Sequence, residues 1–172
     1  MTKHRILRLS VVMFAALVLG QCGGGNDQKA SAPDAEKPKT EMPELKVTRE
    51  NPCSVMFPNE VGDILGAPST LREIMDEITC RYHFEPASDS QPKSEEGETF
   101  IEVKMHWTDG PSMVAARSAA EKLEGVGDAA SWDQAASSLV FSKGDAGAVI
   151  DMRMMPDKEK AVRIAQLMAG RL

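Results

Sequence analysis

Apolar and polar residues alternate along residues 80–84, with Cys80, Tyr82 and Phe84 on one side and Arg81 and His83 on the other. They alternate again along 100–107. There Ile101, Val103, Met105 and Trp107 oppose Glu102, Lys104 and His106. A period of two predicts strands with one dry and one wet face. The polar stretch 85–98 makes the pair a long-looped hairpin. A second hairpin is expected from 138–142 and 148–154, turning through the Gly-containing segment 143–147. Its inward residues are Leu139, Phe141, Ile150, Met152 and Met154. Residues 130–132 supply a further short strand after the tight link Gly125-Val126-Gly127-Asp128.

Helical spacing appears in three places. Phe57-Pro58-Asn59-Glu60 opens a short helix, with proline suited to a first turn and Glu60 to the positive helix end. Val61, Ile64 and Leu65 form its apolar face, and Gly66 is the natural stop. Gly110-Pro111 opens a second helix, with Met113, Ala116, Ala120 and Leu123 along one face and Gly125 at its end. Pro156-Asp157 starts the last, striped by Ala161, Ile164, Ala165, Met168 and Leu172.

Residues 69–79 fit two patterns. Thr70 and Glu73 suit a capping box over a helical face of Leu71, Ile74, Met75 and Ile78. The same residues suit a strand turning at Asp76-Glu77, the reading favoured here because a strand must begin immediately afterwards at Cys80.

The expected fold is therefore α+β: an antiparallel sheet of two hairpins with amphipathic helices on one face, ordered as a pseudo-duplicated unit. The domain is expected over 47–172.

The first 46 residues read differently. Lys3, Arg5 and Arg8 precede an uncharged, mostly apolar run of about ten residues, too short to span a bilayer and suited to a signal-peptide core. Residues 1–21 are expected to be that signal peptide. The run ends in Leu19-Gly20-Gln21-Cys22, which looks like a bacterial lipobox. Gln21 departs from the motif, where a smaller residue is usual. Gly23, Gly24 and Gly25 give Cys22 a flexible exit, and lipidation explains an otherwise odd cysteine in an exported chain. Residues 22–46, with Gly, Pro, Ser and mixed charge, are expected to be a disordered tether with a coil dimension of roughly 25–30 Å.

Composition and charge narrow the function. Aromatic residues are only 5% of the chain, so the core must rest on aliphatic residues and methionine. Cleavage before Cys22 removes three of the 20 basic residues and none of the 26 acidic ones, taking the formal charge from −6 to −9. That balance argues against a nucleic-acid partner, and none is expected. It also leaves membrane attachment to the acyl chains rather than to charge. In an exported chain, Cys53 and Cys80 are the disulfide partners available in the folded part.

No catalytic motif is visible, and no catalytic residue or cofactor is expected. His83, His106 and Glu102 lie on outward faces, where they could sit close enough to bind a metal. Met152, Met154 and Met155 beside His106 suggest a copper site, since thioethers favour Cu(I). Both yield to the bland alternatives of solvated histidines and core methionines. Metal ligands are therefore expected to be none.

Pro52-Cys53 ahead of Glu60-Val61 and Leu65-Gly66, then Cys80-Arg81-Tyr82, form one set of features. Gly125-Val126-Gly127-Asp128-Ala129-Ala130 leading to Trp132, and Leu139-Val140-Phe141 with Lys143-Gly144, form another. With the Ala-rich last helix, these resemble uncharacterised bacterial cell-envelope lipoproteins of actinobacterial type over about residues 52–172. The resemblance also implies that Cys53 pairs with Cys80, and it implies no reaction. The expected function is a non-enzymatic, lipid-anchored envelope protein that binds a protein partner or small ligand. The binding surface is expected on the polar sheet face (Arg81, His83, Glu102, Lys104, His106) or the 85–98 loop. The alternative is a periplasmic copper- or zinc-handling protein. Gly23 after the lipidated cysteine permits outer-membrane sorting in a Gram-negative cell.

Overall fold

The computed structural model describes residues 46–69, 71–86, 88 and 91–172. The expected signal peptide, Cys22, the tether up to residue 45, and the Thr70 cap lie outside the described residues.

Seven strands form one antiparallel sheet. They are β1 (Leu71–Ile74), β2 (Thr79–His83), β3 (Phe100–His106), β4 (Glu121–Leu123), β5 (Ala129–Asp133), β6 (Ser138–Lys143) and β7 (Ala146–Asp151). Their order across the sheet is β1-β2-β3-β7-β6-β5-β4. A three-strand meander and a four-strand meander thus join where β7 pairs with β3. The expected two hairpins are present but extended, by β1 on one edge and by β4 and β5 on the other. Residues 71–79 resolve as the strand and turn. Asp76 closes the turn by accepting from the Ile78 and Thr79 amides at 2.9 and 2.7 Å.

One sheet face carries the core. Cys80 and Tyr82 of β2 lie beside Ile101, Val103 and Met105 of β3. Ala148 and Ile150, Leu139 and Phe141, and Ala130 and Trp132 continue it across β7, β6 and β5, all buried. A 3₁₀ turn (Pro52–Val55), α1 (Pro58–Leu65) and α3 (Lys158–Ala169) bring Cys53, Val55, Met56, Val61, Leu65, Ala161, Ile164, Ala165 and Met168 into the same core. The Cys53–Cys80 disulfide, with Cα atoms 5.0 Å apart, fastens the 3₁₀ turn to β2. Burial pushes the Tyr82 hydroxyl pKa up.

Helix ends are tied by charge. Glu60 accepts from the Phe57 amide at 2.8 Å and takes two bonds from Arg171, at 2.5 and 2.9 Å, joining the start of α1 to the end of α3. Gly66 stops α1 in the left-handed region, at φ 69°. Lys160 of α3 donates to the Leu65 carbonyl there at 2.7 Å.

The bonds from Arg171 hold the Glu60 carboxyl below its usual range. A carboxylate depressed on folding contributes stability above its unfolded pKa and loses it as pH falls through the folded value. The melting temperature is therefore expected to fall between about pH 5 and about pH 3, with Glu60→Gln flattening that part of the profile. Thermal melts across this range check it. A profile for the Glu60→Gln variant as steep as wild type contradicts it.

The helix expected to run from Gly110 to Leu123 is corrected. Helix α2 spans only Gly110–Ala115, and the chain then pairs as β4 with β5. No residue from Pro111 to Leu123 is fully buried, so the alanine-rich stripe had no core to enter. Arg117 instead donates to Ser138 at 3.2 Å and lies 3.6 Å from Asp133. Gly125 and Gly127, both at positive φ, close the β4–β5 link. Backbone pairing with the sheet outweighs the intrinsic helix preference of alanine.

Placing all helices on one sheet face is corrected as well. Arg117 and α2 lie over the second face at β5–β7, where Ser131, Ser138, Val140 and Ser142 are buried. A close approach permits this: a Cβ on Gly110 would sit 2.2 Å from the Ala146 carbonyl oxygen.

Candidate functional site

The part of the second sheet face left uncovered by α2 is the candidate site. Strand alternation and register place its residues in rows. Glu73, Arg81, Glu102 and Asp151 lie opposite one another across β1, β2, β3 and β7. Thr79, Lys104 and Val149 form the next row, followed by His106 and Gly147. All five residues expected on this face, Arg81, His83, Glu102, Lys104 and His106, are found there.

Most of the charges are paired. Arg81 donates to Glu102 Oε1 from Nε and Nη2, at 3.2 and 2.9 Å, with its guanidinium 4.0 Å from the Phe100 ring centroid. A planar cation held by a carboxylate and an aromatic ring is well fixed in orientation. Arg153 caps Asp151 from the far side at 2.8 Å. His83 has its Nε2 3.4 Å from Glu73 and its Nδ1 3.7 Å from Glu98. His106 Nδ1 lies 3.4 Å from Asp109. Lys104 is exposed at the centre and makes neither a hydrogen bond nor an ion pair within 4 Å among the described residues. Its neighbours Val149, Ser138, Arg117, Asp151 and Arg153 surround a shallow hollow of about 420 Å³.

Sequence pattern alone missed the hollow's far wall. Arg117 falls inside the segment expected to be helical, and Arg153 inside the strand expected over 148–154. A second groove, about 720 Å³, runs between α2 and β4–β6, with Val114, Lys122, Leu123 and Ser131 among its lining residues. Ser131 Oγ is buried there without a hydrogen-bond partner among the described residues. The uninterrupted apolar run Leu139-Val140-Phe141 was the available signal that both faces are covered at β6.

Register separates the two histidines of the metal reading. His83 opposes Phe100, whereas His106 lies six residues further along β3 and opposes Gly147. At the rise of an extended strand the two are about 20 Å apart. Met152 is in the core, on the opposite sheet face from His106, and Met155 Sδ sits 3.7 Å from Lys160 Nζ. No group of three or more His, Cys, Asp or Glu positioned to hold a metal occurs among the described residues. The 85–98 loop approaches the sheet through Glu98 at His83.

The arrangement defines an α+β domain with a half-covered sheet, whose open half sets paired charges around Lys104, which has no ion pair within 4 Å among the described residues. No family model matches the chain, and no curated protein matches it either.

Proposed function

We propose that this is an exported cell-envelope protein, anchored by acyl chains on Cys22, that acts by binding and not by catalysis. The Cys53–Cys80 disulfide supports this reading most directly, because such bonds persist in oxidising compartments. The basic, then apolar, then Leu19-Gly20-Gln21-Cys22 sequence of the N-terminus supports the anchor. The tether of residues 22–46 holds the domain off a membrane that faces the periplasm or the exterior, the outer membrane in a Gram-negative cell. The resemblance to actinobacterial-type envelope lipoproteins belongs to this proposal. So does the duplicated-unit reading of the fold, in which α1 with β1–β3 and α2 with β4–β7 each run helix, then meander.

The bound species is an envelope protein or a small ligand, held on the sheet face around Lys104. An unpaired, exposed ammonium flanked by fixed ion pairs is a ready contact for a partner carboxylate or phosphate. The test is site-directed crosslinking in the native envelope, with Lys104→Glu and Arg153→Glu variants. Both side chains are exposed, so the fold should persist. The expected result is loss of a crosslinked species that forms at this face in wild type. Unchanged crosslinks in both variants overturn the assignment of the face.

A further inference from the structure

Among the described residues, the exposed large hydrophobic side chains are Leu71, Ile74, Met75 and Ile78, at 54%, 55%, 42% and 37%. All four fall within eight residues, on the edge strand β1 and the turn that follows it. Scattered surface hydrophobics need no explanation, but a cluster on an unpaired sheet edge does.

The backbone of this edge is open in a defined way. The Met75 amide donates to the Thr79 carbonyl at 3.0 Å, which makes 75 and 79 a hydrogen-bonded pair. Antiparallel pairing alternates, so Leu71 and Glu73 also bond toward β2, and the N–H and C=O groups of Arg72 and Ile74 point off the sheet. Edge strands are commonly guarded by an outward lysine, a proline or a bulge. Here the one basic residue is turned away. Arg72 donates to the Cys53 and Met56 carbonyls, both at 2.8 Å, under the sheet. Ile74 opposes Cys80, so the disulfide braces the strand from behind. The edge thus carries no lysine, proline or bulge, its one carboxylate is Glu73, and the disulfide holds it in place, which lowers the ordering cost of binding.

We infer that β1 receives an extended segment of a partner protein as an eighth strand, and that this segment alternates apolar with basic residues. The inference rests on the reading that the domain binds a protein, and it names a surface other than the Lys104 face. Alternation follows from the two sides of β1. One side of an added strand meets Ile74, and the other meets Glu73 between Leu71 and Met75, with Glu77 exposed beyond. The carboxylates at Glu73, Asp76 and Glu77 oppose insertion into a bilayer. A second copy of β1 is disfavoured too. Antiparallel self-pairing that keeps the sheet faces aligned and centres on the middle of the strand sets Arg72 opposite Arg72, or Glu73 opposite Glu73.

The test uses the full-length chain in detergent and two labelled heptapeptides, one alternating lysine with valine and one alternating glutamate with valine. Fluorescence anisotropy is expected to show the lysine peptide binding at least about tenfold more tightly than the glutamate peptide. Ile74→Lys, or N-methylation of alternate peptide amides, is expected to weaken it by about tenfold or more, while Arg163→Glu, on the exposed side of α3, leaves it unchanged. Equal binding of the two peptides, or full binding by Ile74→Lys, overturns the inference. So does a peptide-free dimer that Ile74→Lys dissolves, which would make the occupant a second copy. Slowed hydrogen exchange at Arg72 and Ile74 in lipid nanodiscs alone would assign the edge to the bilayer, again against the inference. If the lysine peptide fails to bind while Lys104→Glu still abolishes envelope crosslinks, only the edge assignment falls.

Discussion

Replacing both Cys53 and Cys80 with serine is expected to lower the stability of the domain by about 3–4 kcal/mol. The bridge spans a sequence separation of 27, and closing a loop of that size in the unfolded chain accounts for this figure on the chain-entropy model. Its position adds a local consequence. It joins the 3₁₀ turn that supplies Cys53, Val55 and Met56 to the core with the strand that supplies Cys80 and Tyr82. Without it, the turn is held to the sheet by the Arg72 bonds, the long Tyr82–Met56 contact of 3.4 Å and apolar packing. Net stabilities of whole domains are only about 5–15 kcal/mol, so this loss is a large fraction. Urea unfolding of the double variant beside wild type measures it. The melting temperature is expected to drop by about 10–15 °C. A double variant within about 1 kcal/mol of wild type would show that core packing alone fixes the turn.

The second large effect concerns location. Cys22→Ala is expected to move the protein from the membrane fraction to the soluble fraction almost completely. The acidic chain offers the bilayer no electrostatic attraction, and no helix among the described residues is long and apolar enough to cross it. Under the proposed anchoring, attachment rests on the acyl chains, each buried methylene contributing about 0.8 kcal/mol. Fractionation of cells carrying the variant measures this. Retention in the membrane fraction, resistant to salt and alkali, would mean that a protein partner or an uncleaved N-terminus holds the domain there.

Where side-chain alternation was strict, the fold was legible. Cys80, Tyr82 and Phe84 against Arg81 and His83, and Ile101, Val103 and Met105 against Glu102, Lys104 and His106, lie on the faces their period demands. The α3 stripe of Ala161, Ile164, Ala165 and Met168 is buried as its spacing requires. Segment 111–123 was not legible, because alanines at helical spacing carry little burial energy and a three-residue strand carries almost no pattern. Its conformation is decided by Arg117 reaching Ser138 and by pairing with β5, neither of which is local in sequence. The same limit applies to the site. Alternation put His83 and His106 on one face, but only register could show that they lie at opposite ends of it. The cations of Arg117 and Arg153 reach the Lys104 hollow through tertiary placement, so no single segment announced them.

Intact mass measurement of the protein purified from its own envelope, under denaturing and native conditions, tests the central reading most directly. The expected species is a chain beginning at Cys22, heavier by a diacylglyceryl or triacyl group and lighter by two hydrogens for the Cys53–Cys80 bond. A chain beginning at Gln21 or Met1 without lipid, or one with both thiols free, would contradict it.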